Sequence, residues 1–370
     1  MKRIFRPILT LISLLIAGLL LLTVLSARIN PYHANILAFL GFGFPIIWII
    51  NLLVLVFWIS RLRMQFLIPL LALLFTWNNW HNTFQISGRH ITESTQISNP
   101  VSVMSFNVKM LDFYKWTGEK EVHDKIFKFI RKENPDILCI QEFFSYKGKE
   151  GFSEAQILAR LNQYPYRHIE YSVKGNRGRR FGLATFSRYP IKGKRYLKFE
   201  QTNNFSMQTD IEVNNTKIRV FNNHLESIRF DAHNLNFIDS LNYKNEAERR
   251  KGISEIAAKL RAAFKQRASQ AETIGSHIGN SPYPVIVCGD FNDTPVSYVY
   301  RKMRGDLKDA FVESGSGFGG TYNGKLPSFR IDFIFHDPQF NSYNFTRTKV
   351  NYSDHFPIMT TIDLETESNS

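Results

Sequence analysis

The sequence predicts an α/β protein, a two-sheet core covered by helices, preceded by an amino-terminal bundle of about three transmembrane helices. Three observations carry this. Beyond residue 100, strand-like runs outnumber helical ones. Two of these runs are joined across Asn214-Asn215, which implies antiparallel pairing, while helices fall between others. Finally, residues 1 to 80 contain no Asp or Glu and only six basic residues, a membrane composition.

Ile8 to Ala27 is a run of mostly apolar, uncharged residues, long enough at about 1.5 Å per residue to cross a hydrocarbon core. Val24-Leu25-Ser26 would also pass as a signal-peptide cleavage context. The run exceeds a usual signal-peptide core, however, and more apolar sequence follows, which favours a retained helix. Ile36 to Ser60 makes a second span. Met64 to Trp80 makes a shorter third, containing Pro69 and ending in Trp77 and Trp80, aromatic residues suited to an interface. Lys2, Arg3 and Arg6 precede span one, and Arg61 and Arg63 separate spans two and three, whereas the loop between spans one and two has only Arg28. The positive-inside bias therefore puts the amino terminus in the cytoplasm. Three crossings leave the large domain on the outer face, which for a bacterial inner membrane is the periplasmic face. A re-entrant third segment would reverse that sidedness.

Residues 81 to 100 are polar and aperiodic and read as a linker, and residues 101 to 365 as one large domain. Val101 to Phe106 alternates like a half-buried strand. Glu119 to Lys132 puts Val122, Ile126, Phe129 and Ile130 on one helical face, and Asn134-Pro135 stops that helix before a strand at Asp136 to Ile140. Ser153 and Gln156 fit a capping box opening a helix through Leu161. Further strands are expected at Gly182 to Ser187, Phe205 to Val213, Thr216 to Asn222, Val285 to Cys288, Phe329 to Phe335 and His355 to Ile362. A long helix from Glu246 to about Ile278 carries Ile253, Ile256, Leu260, Phe264, Ala271 and Ile274 at mostly helical spacing, while its basic residues, Arg267 among them, read as a solvated face.

The formal charge of +14 falls to +8 once the six basic residues of the first 80 are removed, only a mild pointer to acidic partners such as phosphates or anionic lipid. The two cysteines, Cys139 and Cys288, sit inside apolar runs and outside any CxxC pair, so they read as buried free thiols.

Unusual polar residues recur at the ends of strand-like runs. Glu142 follows the run ending at Ile140, where its carboxylate would suit a hard metal ion or be an ordinary strand-end charge. Extended geometry puts Asp290 and Asn292 on one side, with Gly289 permitting close backbone approach; together they could orient a water or close an Asx turn. Asp332 lies within an apolar run and needs a partner, for which His355, after Asp354, is the natural candidate. A structural hydrogen bond would satisfy the same pair. His224 and Asn107 add an imidazole and an amide at two more strand ends.

Taken together and in order, SFNVK, ILCIQE, FGLATFSRYPI, NNHLES, VCGDFND, RIDFIF and SDHFPI resemble the endonuclease/exonuclease/phosphatase superfamily, over about residues 101 to 363. The resemblance implies a four-layer α/β/β/α sandwich of two mixed sheets and a phosphoester hydrolase using Mg²⁺ or Mn²⁺. It implies Glu142 as the principal metal ligand, with Asn107 and Asp354 close to the metal or its waters. Asp290 would deprotonate the attacking water, Asn292 would donate a hydrogen bond in the transition state, His355 paired with Asp332 would contact phosphoryl oxygens, and His224 would support the leaving group.

Substrate choice is less legible. The basic stretch Lys174, Arg177, Arg179, Arg180, Arg188, Lys192, Lys194 and Arg195 would suit a nucleic-acid backbone, a lipid headgroup or only water; Arg180, with Arg330 of the RIDFIF motif, is the candidate substrate contact. Nucleic acid or nucleotide is the default, and a lipid phosphodiesterase or phosphoinositide-type phosphatase the alternative, with the lipid bilayer as the chain's other partner. A catalytically inactive, membrane-tethered binding module is the alternative of another class. No protein partner is expected.

Overall fold

Two amino-terminal helices, α1 (Phe5–Ser26, mean hydropathy 2.8) and α2 (Asn35–Ser60, mean hydropathy 2.4), are each long and apolar enough to cross a membrane. They pack antiparallel. Trp58 Nε1 donates to Ser13 Oγ (2.8 Å), Asn51 Nδ2 donates to Ile16 O (3.3 Å), and Gly41 lies so close to Ser26 that a Cβ would come 2.9 Å from its hydroxyl. The third apolar segment departs from the single span expected. A 3-10 turn (Met64–Phe66) leads into α3 (Leu67–Phe75), the helix breaks at Thr76, and α4 (Trp77–Thr83) follows. At the break the Thr76 hydroxyl bonds back to Ala72 O and Leu73 O, the local competition that bends helices. The segment still runs alongside the other two helices: the Gln65 amide meets the Arg6 guanidinium of α1 at one end, and Trp80 stacks on Trp48 of α2 (3.9 Å) further along.

The computed structural model describes residues 5–365 apart from 94, 176–177, 229, 231–233, 235–245 and 325–326. Beyond the bundle, residues read as a linker lie against the large domain: Gln85 pairs with Gly317, Arg89 N donates to Glu313 O, and Ile91 N to Asn344 Oδ1.

Period-two alternation builds the domain core. In β1 (Pro100–Asn107), Val101 and Val103 point one way, Met104 and Phe106 the other, and all four are buried. A strand apolar on both faces needs cover on both. One set joins a core between two sheets, with Cys139, Val220, Cys288 and Ile334. The other packs under α5 (Val122–Glu133) and α6 (Glu154–Arg160) through Ile126, Ile130 and Ile157. On the far side, α7 (Glu246–Gly279) and α8 (Tyr298–Arg304) cover the second sheet through Ala271, Ile274, Val299 and Met303. Four layers result.

The remaining strands are β2 (Ile137–Tyr146), β3 (Tyr166–Lys174), β4 (Arg179–Ser187), β5 (Ile191–Lys198), β6 (Phe205–Val213), β7 (Thr216–His224), β8 (Val285–Asp290), β9 (Lys308–Asp309), β10 (Asp332–His336), β11 (Asn341–Arg347) and β12 (Ile358–Asp363). Sheet order is β11-β12-β1-β2-β4-β3 and β5-β6-β7-β8-β10-β9; β1 with β2 and β7 with β8 are parallel, the other pairs antiparallel. The hairpin of β6 and β7 turns on Asn214 and Asn215, both at positive φ (45° and 68°), as a tight turn of matching twist requires. The Ser153–Gln156 capping box opens α6, and Asn134 (φ 50°) ends α5 in the left-handed region.

Three local expectations are corrected. β2 continues past Ile140 because a bulge absorbs Gln141 and Glu142. Arg267 is not solvated: its side chain is 0% exposed, with Nε donating to Asp293 Oδ2 (3.1 Å) and the guanidinium to Glu226 O (3.0 Å), so the charge is paired beneath the helix. Ile253, in the first turns of α7, is 56% exposed, since continuous burial of that helix begins only near Ala263.

Candidate active site

Strands of both sheets end at one rim of the sandwich. On neighbouring strands of the second sheet His224 pairs with Asp290, and Asp290 with Asp332, so three of the expected residues stand side by side by register alone. From the first sheet come Asn107, at the end of β1, and Glu142. Glu142 lies on the bulge with φ 54°, which turns its carboxylate out of the strand alternation. Gly289 has φ 136°, and a Cβ there would come 2.0 Å from Asn223 O, so only glycine lets β8 lie this close to β7.

Hydrogen bonds fix Asp290 from two sides: Asn292 N donates to Oδ1 (2.9 Å) and Asn107 Nδ2 to Oδ2 (3.0 Å). The Asx turn considered from sequence is thus present, and it orients the very carboxylate that faces the cleft. Asn107 Nδ2 also reaches Glu142 Oε1 (3.4 Å). His224 Nε2 stands 3.7 Å from Asp290 Oδ2 and 3.9 Å from Glu142 Oε1. His355 Nδ1 bonds Asp332 Oδ2 (2.9 Å) while its Nε2 points towards Asp290 Oδ2 (3.6 Å). Asp332 is held in turn by Thr321, whose hydroxyl accepts from Ile331 N and Asp332 N. The Asn292 amide donates to Leu225 O (3.1 Å), leaving its second N–H for another acceptor.

These groups meet at a cavity of about 1120 Å³. Glu142, His224, Asp290, Asn292, Asp354 and His355 line it, whereas the buried Asn107 and Asp332 stand one layer behind, each bonded to a lining residue.

Crowded carboxylates shape the electrostatics. Burial, then the Asp354 charge, pushes Glu142 up to about 7. Burial likewise raises Asp290 against the opposing pull of His355. Burial works against a proton on His355, yet the combined pull of Asp332, Asp290 and Asp354 carries that imidazole well above its ordinary value. Asp354 also feels burial, but His355 and Lys109, whose ammonium lies 2.7 Å away, hold it below the usual carboxylate range.

Two sets of groups here have the chemistry of a metal site. Ligating atoms of Asp290, Asp332 and His355 lie within 4.8 Å of one another, but His355 is already bonded to Asp332. The carboxylates of Glu142 and Asp354 fit a hard dication better, being oxygen donors that line the open cavity, and a cation would relieve the repulsion that raises Glu142.

Not every expected residue arrives. Arg330 is buried in an ion pair with Asp309 (2.8 Å), donates to Asn82 O (2.7 Å), and is not among the lining residues. Arg180 pairs with Glu154 (2.9 Å) and lies over the Tyr171 ring (4.6 Å). Arg188, Lys192 and Arg195 are paired with Asp136, Glu212 and Asp210 on the domain surface. Arg177 lies outside the described residues. Conversely, the cavity includes residues that sequence reading passed over: Lys109, only two positions after Asn107 in the first motif, Tyr322 in a glycine-rich loop without periodicity, and Phe39 and Phe42 from α2.

The comparisons agree with this picture. A model of the endonuclease/exonuclease/phosphatase family matches residues 104–355, and a model of a domain of unknown function, DUF8431, matches residues 5–83. No curated protein matches the chain. Among similar solved structures is an endonuclease/exonuclease/phosphatase from Beutenbergia cavernae, at 16% identity over 72% of each chain with a TM-score of 0.50. Another, from Bacteroides vulgatus, is 17% identical over 72% of this chain and 100% of that one, with a TM-score of 0.49. The human Nocturnin catalytic domain is 19% identical over 71% of this chain and 93% of that one, with a TM-score of 0.48. With two mixed sheets between helical layers and a family model that spans most of its length, the chain belongs to the endonuclease/exonuclease/phosphatase family.

Proposed function

We propose that the chain is a membrane-anchored, divalent-metal-dependent phosphodiesterase that attacks its substrate with an activated water. The observation that carries this is the doubly hydrogen-bonded Asp290 carboxylate, facing a cavity between two imidazoles. Glu142 and Asp354 would hold Mg²⁺ or Mn²⁺, with Asn107 fixing Glu142. When bound, the ion would neutralise charge on the phosphoryl oxygens.

The protein groups do the rest. Asp290 takes a proton from the attacking water as the new P–O bond forms and the bond to the leaving oxygen breaks. Its raised pKa brings it closer to the range in which a base works well near neutrality. His355, kept protonated by Asp332 and its other acidic neighbours, donates Nε2–H to the charge that grows on the phosphoryl oxygens, and Asn292 adds an amide N–H. His224 supports the leaving oxygen from the opposite side of Asp290. In the purified full-length chain, activity on bis(4-nitrophenyl) phosphate should vanish with chelator and return with Mg²⁺ or Mn²⁺. Asp290→Ala should lower turnover by roughly a hundred- to ten-thousand-fold without loss of folding. A fully active variant would refute the mechanism, and an inert wild type across a broad ester panel would favour the binding module.

We also assign the domain to the outer face. In support, the bundle end bearing Arg6, Arg61 and Arg63 is opposite the end that meets the domain, where Ser26 Oγ bonds Val296 O (2.7 Å) and Phe84 packs on Phe318 (4.9 Å). Basic ends stay cytoplasmic. Although α3 is too short to cross alone, α3 and α4 together carry the chain from the Arg6 end to the domain end. A reporter fused after Arg89 tests this; activity only of a cytoplasm-specific reporter would overturn it.

A further inference from the structure

The cavity that holds the catalytic residues has a second, chemically different wall. Phe39 and Phe42 come from the first turns of α2, Ile256 and Leu260 from α7, and Phe329 and Ile331 from the strand approach to Asp332. The rings are fixed by one another: Phe39 stands edge-on to Phe264 (5.2 Å) and Phe42 edge-on to Phe329 (5.3 Å). None of these six side chains contributes to hydrolysis. Five of them are only half-buried, and Phe39 and Phe42, which are among the five, face the same space as Asp290 and His355.

We infer that the substrate is an amphiphile, a phosphodiester whose apolar chain lies along this wall while its phosphate meets Asp290 and His355. The inference rests on the hydrolase reading above and names the substrate class for that site. Two further observations favour it. First, the wall continues into lipid-facing surface: α2 runs on from Phe42 as a membrane-length apolar helix whose Ile46, Ile49 and Leu53 are exposed. A chain anchored in the bilayer can therefore enter the cavity along the helix without crossing a polar rim. Secondly, a polynucleotide needs a basic track for successive phosphates. Among the described lining residues Lys109 is the one lysine or arginine, and it is committed to Asp354, while Arg180, Arg188, Lys192 and Arg195 are paired elsewhere.

The test uses the full-length chain in detergent with Mg²⁺ and two diesters sharing one leaving group, methyl 4-nitrophenyl phosphate and hexadecyl 4-nitrophenyl phosphate. The hexadecyl ester should have at least a ten-fold higher kcat/KM. That preference should fall at least five-fold in Phe39→Ser/Phe42→Ser and in Leu260→Gln, which leaves α2 untouched, and survive in Phe42→Leu. Equal kcat/KM for the two esters overturns the inference. So does a preference that persists in both polar variants, which would mean partition into detergent only, and so does faster cleavage of plasmid DNA than of the hexadecyl ester. If neither ester is turned over, the hydrolase reading fails by itself. The wall is then judged by binding alone: hexadecyl phosphate should slow hydrogen exchange in the first turns of α2, and no protection there overturns it.

Discussion

Asp332→Asn isolates the pair that the proposed mechanism depends on. Asp332 Oδ2 accepts from His355 Nδ1 at 2.9 Å, and both side chains are almost wholly buried, 2% and 7% exposed. The substitution keeps size and shape but replaces a charge-assisted bond, about 1.5–3 kcal/mol, with a neutral one. At 1.36 kcal/mol per factor of ten, the difference, about 1–1.5 kcal/mol with a neutral bond of about 0.5–1.5 kcal/mol retained, is about a five- to ten-fold loss in kcat/KM. The pH profile supplies a signature that packing damage would not. Burial works against the proton on His355, and Asp332 leads the acidic groups that keep it there. Without that carboxylate the imidazole loses its proton at lower pH, so the alkaline fall in activity should move towards neutrality. Steady-state kinetics on bis(4-nitrophenyl) phosphate across the pH range, with thermal melting as the folding control, reads both effects. Activity within about three-fold of wild type, or a lower rate with an unmoved profile, would refute the reasoning.

Three further outcomes are expected. Arg330→Met leaves the buried Asp309 without its charged partner and should lower stability by about 3–5 kcal/mol, read as a fall in Tm; an unchanged Tm with a raised KM would instead return Arg330 to the substrate. Gly289→Ala drives a methyl to 2.0 Å from Asn223 O at a φ of 136°, so about 3 kcal/mol or more of stability and the pairing of His224 with Asp290 should be lost together. If that variant melts normally and stays active, the close approach of the two strands is contradicted. His168, bonded to Thr209 Oγ1 across the two sheets, is depressed to about 4 by burial and then by Lys194, despite Glu170 at 3.5 Å. Because the unfolded chain binds that proton from about pH 6.5 downward, stability should fall as pH drops from about 6.5 to 4, by up to about 3 kcal/mol. His168→Asn should flatten Tm over that window, and an identical slope in the variant would show that the group does not titrate there.

What could be read before folding follows from burial. Strands inside the sheets carry at least one apolar face, and their runs at β1, β2, β4, β6, β7, β8, β10 and β12 were all legible. The four strands that sequence reading passed over, β3, β5, β9 and β11, are the four sheet edges. An edge strand is covered less and paired on one side only, so it carries charge and polarity, as the basic β5 does, and leaves no periodic mark.

The sequence by itself determined the membrane-like first 80 residues, the two-sheet core and the set of polar residues at strand ends, because each is a local pattern tied to a period or a composition. Tertiary structure decided how those residues divide. It put Glu142 on a bulge, set Asn107 and Asp332 behind the cavity rather than in it, and buried Arg330 and Arg267 in ion pairs. It also joined Phe39 and Phe42 to residues two hundred and more positions away, in one cavity with Asp290. Charge and polarity alone do not say whether a residue finds its partner in water, in the protein or in a substrate; only the long-range packing of strands and helices supplies or withholds that partner.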